Sequence, residues 1–106
     1  MVAKGDFTRR KAQNKLSMFF AYVLLSRADQ NLYIGFSSNL EKRLDDHNNG
    51  RVRATKRRRP LELIYYEAYL NKKDAEGREK FLKSGSGHRF LKKQLKNTLL
   101  KISLGM

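Results

Sequence analysis

The chain has no cysteine and no tryptophan, one proline and two histidines in 106 residues. Without cysteine there is no disulfide, no thiolate metal site and no cysteine nucleophile, and a reducing cytoplasm is the expected compartment. Two histidines, His47 and His88, leave little scope for zinc chemistry. Long apolar runs are missing as well. The longest, Met18 to Leu25, falls well short of the roughly 18 residues that a membrane span needs. Basic residues precede that run, and Thr8-Arg9-Arg10-Lys11 faintly resembles a twin-arginine signal. A cleaved leader is set aside because the apolar core is short, Arg27 and Asp29 follow at once, and cleavage would remove the strand carrying Tyr22.

Acids are the other scarcity. Ten Asp and Glu face 24 Lys and Arg, a net charge of +14, and no acid follows Glu79. A field of that sign favours polyanions, and nucleic acid is the commonest polyanion a small chain meets. With 40% apolar and 32% charged residues the composition is globular, and the length suits one domain with a modest core. Residues 1–17 carry five cations against Asp6 and read as a basic flexible arm, leaving 18–102 as the folded domain.

Tyr22-Val23-Leu24-Leu25 and Leu32-Tyr33-Ile34-Gly35 are short, rich in β-branched and aromatic residues, and bracket the polar Ala28-Asp29-Gln30-Asn31. A hairpin is the economical reading, and it brings Tyr22 near Tyr33. The period then changes: with Asn39 as N-cap, Leu40, Leu44 and His47 fall at i, i+4 and i+7 of a helix. Arg43 borders that face, so Arg43 and His47 should look toward the sheet. Asn48-Asn49-Gly50 ends the helix.

Arg51 to Arg59 holds six cations and no acid: Arg51, Arg53, Lys56, Arg57, Arg58 and Arg59. Burying unpaired cations is costly, so the run should be a solvated loop suited to phosphate contact. Pro60 opens Leu61 to Leu70, dense in strand formers on both faces and the best central-strand candidate. Its Tyr65, Tyr66 and Tyr69 could stack bases, although aromatics in such a strand are more often core. Asn71 with Asp74 gives a capping-box-like start to the next helix, whose stripe runs Ala75, Glu79, Leu82. An ionised carboxylate in an apolar stripe needs a cation, and the alternatives are a salt bridge to Arg43 or Arg78, or a divalent metal. Ser84-Gly85-Ser86-Gly87 should break the chain. Leu91, Leu95, Thr98 and Ile102 then mark one last amphipathic helix, with Lys83, Arg89 and Lys92 contributing a second basic surface. His88, in the Gly-rich turn, reads as a cap or phosphate contact.

Taken together, Tyr22, Tyr33-Ile34-Gly35, Arg43, His47 and Glu79 resemble the GIY-YIG endonuclease superfamily, in particular its small stand-alone branch similar to the nuclease domain of the UvrC excision-repair protein. Ala21-Tyr22-Val23 stands for the first half-motif and Tyr33-Ile34-Gly35 for the second, eleven residues on, with Arg43 and His47 ten and fourteen residues later. The resemblance covers about Phe19 to Leu95. It implies an α+β fold, a small three-stranded sheet of the hairpin plus a central strand flanked by about three helices. It also implies a DNA endonuclease acting in repair or recombination, with one Mg²⁺ or Mn²⁺ ion held by Glu79. A non-catalytic nucleic-acid-binding protein of the same fold is the alternative.

In that scheme Tyr33 activates the water, Arg43 stabilises the phosphate, Tyr22 orients water and phosphate, and His47 assists proton transfer. Ionising a tyrosine of ordinary pKa, about 10, costs roughly 4 kcal/mol at pH 7. Arg43 and the metal would have to offset that, and His47 is the rival base. Two positions depart from the family pattern: Phe36 replaces a lysine found in some members, and no clear asparagine in the last helix matches one that some relatives use.

Overall fold

Eight residues of β1, Phe19–Ser26, form the spine of the sheet, and from Ala21 onward every one is buried. The structure, a computed structural model, describes residues 17–103. Of the basic arm expected over 1–17, all but Ser17 lies outside the described residues. Antiparallel β2, Leu32–Ser37, and β3, Leu61–Tyr69, flank β1 in the order β2-β1-β3. The expected three-stranded α+β fold is present. The expected central strand is not: 61–70 forms an edge, and β1 takes the middle because it alone is apolar on both faces.

Register sorts the side chains. Tyr22 and Leu24 share a face with their partners Gly35 and Tyr33 on β2 and Tyr66 and Leu63 on β3. On this face they pack with Leu61 and with Leu40 and Leu44 of helix α1, Leu40–Asn48. Ala21, Val23 and Ile34 point the other way, onto Leu82, Leu91 and Leu95. Those leucines belong to α2, Lys72–Lys83, and to the end of α3, Gly85–Gln94, before the chain turns into α4, Lys96–Ser103. Tyr65, the partner of Val23, joins this second cluster, and a register shift at Val23/Leu24 adds Ile64. Fully buried leucines such as Leu82 and Leu91 are each worth about 2–5 kcal/mol against alanine.

Helix boundaries follow cap chemistry. Asn39 Oδ1 accepts from the Lys42 amide at 3.0 Å and starts α1. Gly50, at φ 76°, ends it: the Gly50 amide donates to the His47 carbonyl and the Arg51 amide to that of Asp46, a Schellman closure. Ser84 to Gly87 differs from expectation. Ser84 accepts from the Gly87 amide as the N-cap of α3, and Gly85-Ser86-Gly87 form its first turn. A side chain at Gly87 would strike the Leu82 backbone, so this glycine allows α3 to leave α2 without a loop. The single last helix expected from 91–102 is two, with the break at Leu95, and His88 is exposed on the first turn of α3.

Candidate functional site

Tyr22 projects from the middle of β1 across its partner Gly35, and its hydroxyl lies where a Gly35 side chain would be. Tyr33, two residues from Gly35 on the same face of β2, is half-buried, and α1 closes the group from above with Arg43 and His47 one turn apart. Three rings meet here, with centroids 6.5 Å apart for Tyr22 and Tyr33, 5.8 Å for Tyr22 and His47, and 5.1 Å for Tyr33 and His47. The helix and hairpin readings predict this meeting. Tyr22 Oη lies 2.8 Å from His47 Nε2, and His47 Nδ1 lies 2.7 Å from Thr55 Oγ1. His47 is fully buried, so both ring nitrogens are taken and no solvent reaches them.

Burial and the charge of Arg43 push the His47 imidazole down to about 4, so it is neutral at physiological pH. Burial pushes the Tyr22 phenol up to about 12. The Arg43 guanidinium facing it pulls the other way, while Tyr33 and the Glu79 carboxylate add to the rise. Tyr22 therefore keeps its proton. Arg43 is stabilised as a cation by Tyr22. Its Nε is buried with no hydrogen-bond partner among the described residues. A buried donor without a partner is costly, and the part-exposed guanidinium that carries it stays charged beside the phenol.

Glu79 comes from α2 with a side chain 22% exposed. Neither expected arginine meets it. Lys83, one turn on, lies 2.9 Å away. Arg78 instead reaches Glu67 of β3, with Nε–Oε1 2.8 Å and Nη2–Oε2 3.1 Å, and its guanidinium lies over the rings of Phe81 and Phe90. Tyr65 and Tyr69 donate to the same carboxylate at 2.5 Å. Tyr65 and Tyr69 are thus half-buried, whereas Tyr66 is 51% exposed on the α1 face, not the core residue expected of such a strand.

No three His, Asp or Glu side chains converge among the described residues. A hard divalent ion that keeps several waters needs only one or two protein carboxylates, with substrate oxygens completing its shell. Glu79, part-exposed and close enough to Tyr22 for its charge to act there, fits such an ion.

The basic run splits by role. Arg53, Lys56 and Arg57 are exposed, and Arg51 is exposed beside Asp46 at 3.2 Å. Arg59 donates to the Lys56 carbonyl and lies against Gly50. Lys56, Arg57 and Arg59 line a hollow of about 500 Å³ with Asn48 and Pro60. Arg58 is different: it pairs with Asp29 at 2.6 Å and donates to the carbonyls of Asn31 and Leu32, holding the hairpin turn. The run is not wholly solvated either, since Val52 and Thr55 are buried and Lys56–Arg58 form a 3-10 turn. Lys83, Arg89 and Lys92 are exposed around α2 and α3. An apolar hollow of about 560 Å³ beside the start of α1, lined by Phe20, Leu44, Leu63 and Tyr66, contains none of the expected site residues.

Sequence reasoning missed Thr55 and Glu67. Thr55 is the one hydroxyl between Arg51 and Arg59, the only available signal, while Glu67 reads as one of two ordinary strand acids.

Residues 18–94 match the GIY-YIG catalytic domain. A UPF0213 protein of Clostridium perfringens is 42% identical over 67 residues, covering 62% of this chain and 71% of its own. One of Pediococcus acidilactici is 43% identical over 82 residues, covering 74% and 82%. A third, of Lactococcus lactis subsp. cremoris, is 38% identical over 91 residues, covering 81% and 88%. No solved structure matches.

Proposed function

The chain belongs to the GIY-YIG family, and from that premise and the geometry above we propose that it is a divalent-metal-dependent DNA endonuclease hydrolysing phosphodiester bonds. The observation that carries this reading is the meeting of Tyr22, Tyr33 and His47, with ring centroids 5.1 to 6.5 Å apart, and the Arg43 cation against Tyr22, in a chain of net charge +14.

A Mg²⁺ or Mn²⁺ ion at Glu79 would polarise a phosphate oxygen and supply acidified water. Arg43, a part-exposed residue, binds the scissile phosphate with its guanidinium and meets the charge that builds up in the transition state. In this reading Tyr33, whose ring is half-buried, takes the proton of the attacking water. His47 is sealed behind Tyr22, so it acts through that phenol rather than as the direct base. Arg51, Arg53, Lys56, Arg57 and Arg59 track the backbone to one side, and Lys83, Arg89 and Lys92 extend the basic surface on the other, while Arg58 serves the fold. No described helix is long and apolar enough to cross a membrane. A cysteine-free DNA-cutting chain fits the cytoplasm, and its resemblance to an excision nuclease domain favours work in repair or recombination.

The test is nicking of duplex and branched DNA in Mg²⁺ or Mn²⁺ against EDTA. The parent cleaves only with metal, while Glu79→Ala and Arg43→Ala lose at least about 100-fold. Equal cleavage by Glu79→Ala overturns the assignment. Salt-sensitive binding without cleavage leaves the non-catalytic nucleic-acid-binding protein as the reading.

A further inference from the structure

Tyr22, His47 and Thr55 form a line of hydrogen-bonding groups that runs from the site into the protein, and their relative exposures are 1%, 0% and 0%. With the imidazole neutral, the line contains three protons able to make hydrogen bonds: one phenolic, one on the ring and one on the threonine hydroxyl. Its two hydrogen bonds, at 2.8 and 2.7 Å, use two of them. The third must leave the line at one end.

Suppose Tyr22 donates to Nε2 and Nδ1–H donates to Thr55. The threonine proton is then left over in a fully buried pocket, where His47 is the only hydrogen-bond partner of Oγ1 among the described residues. A buried donor without an acceptor costs about 1–3 kcal/mol. In the opposite direction Thr55 donates to Nδ1, Nε2–H donates to the phenol oxygen, and the spare proton is that of Tyr22. That end faces Arg43, Tyr33 and Glu79, where an arriving phosphate oxygen can accept it.

We propose that Thr55 is a positioning residue: by donating to His47 Nδ1 it fixes the Nε2–H tautomer and leaves the Tyr22 hydroxyl free to donate to the substrate's phosphate. The last clause rests on the nuclease reading. The tautomer does not. Neutrality of the ring agrees with its lowered pKa, and Arg43, a donor only, cannot take the Tyr22 proton.

The experiment is long-range ¹H–¹⁵N correlation NMR on the full chain labelled at histidine, without DNA, with His88 as the second and exposed histidine. In the parent and in Thr55→Ser, His47 carries its proton on Nε2. In Thr55→Val the Nδ1 lone pair loses its donor, its ¹⁵N resonance moves downfield toward that of an unbonded ring nitrogen, and kcat for cleavage falls about 10- to 100-fold. DNA KM stays within about twofold, and Thr55→Ser restores kcat. A proton on Nδ1 in the parent overturns the proposal, as does a folded Thr55→Val with the parent's Nδ1 resonance, whatever its rate. Should Thr55→Val not fold, the spectra of the parent and Thr55→Ser still decide. Because the tautomer is read without DNA, a parent with Nε2–H and no cleavage sinks the nuclease reading and leaves the Thr55 assignment standing.

Discussion

Tyr22 packs its phenol so closely over Gly35, its cross-strand partner, that a methyl group there would overlap Cζ and Oη. The glycine is required for space and not for backbone freedom, since its φ is not positive. Gly35→Ala is therefore expected to destabilise by about 1–3 kcal/mol in urea unfolding, as overpacking does. Displacing the hydroxyl by about 1 Å should also lower cleavage about 100-fold. A variant that cleaves normally would show that the hydroxyl is not needed where it lies.

The pairing of Tyr22 with Gly35 shows how much the sequence reveals. Hairpin, α1 and the meeting of Tyr22, Tyr33, Arg43 and His47 are local consequences of period and turn chemistry, and these were legible. What decided the rest is long-range. Which strand is central depends on pairing with chain far away in sequence, so the apolar density of 61–70 misled. Ser84-Gly85-Ser86-Gly87 reads as a breaker, yet a serine cap and a glycine needed for close helix contact make it a helix start. Glu79 pairs with Lys83 at i, i+4, a partner that helix spacing offers, while Arg78 reaches across to Glu67 of β3, a long-range choice no spacing rule contains.

His47 makes stability depend on pH. Its folded pKa is about 4 against an ordinary 6.5, so between those values the unfolded chain binds a proton that the folded one does not. Stability is full above pH 6.5 and falls by about 3 kcal/mol as pH drops through that window. Urea midpoints measured from pH 7.5 to 4 should show this slope in the parent and not in His47→Gln.

Arg57 and Arg58 are adjacent and should behave oppositely. Arg57→Gln is expected to leave the melting temperature unchanged and reduce the log–log salt slope of DNA binding by about one. Arg58→Gln removes the partner of Asp29, whose carboxyl Arg58 holds down at about 2, and releases the hairpin turn. It should lower the melting temperature and leave the salt slope alone. In the parent this ion pair is complete above pH 4 and is lost as pH falls through about 2.

Lys83 competes with any ion for the Glu79 carboxylate. Lys83→Met is expected to lower the Mg²⁺ concentration for half-maximal cleavage a few-fold, with the modest worth of a part-exposed pair setting the size of the effect. A metal titration showing a higher requirement would mean that Lys83 helps to hold Glu79 for the ion.

Asn48 lies at the end of α1 and uses one side chain to imitate a strand: its amide donates to the Leu61 carbonyl and accepts from the Leu61 amide, at 2.9 and 2.8 Å. These two bonds tie off the cationic segment at its neck. Residues inserted between the neck and Thr55, or between Arg59 and Pro60, would enlarge the noose without shifting Arg43 or the sheet. Grip on the polyanion could thus be retuned across relatives by loop length alone, while the reacting groups kept their places.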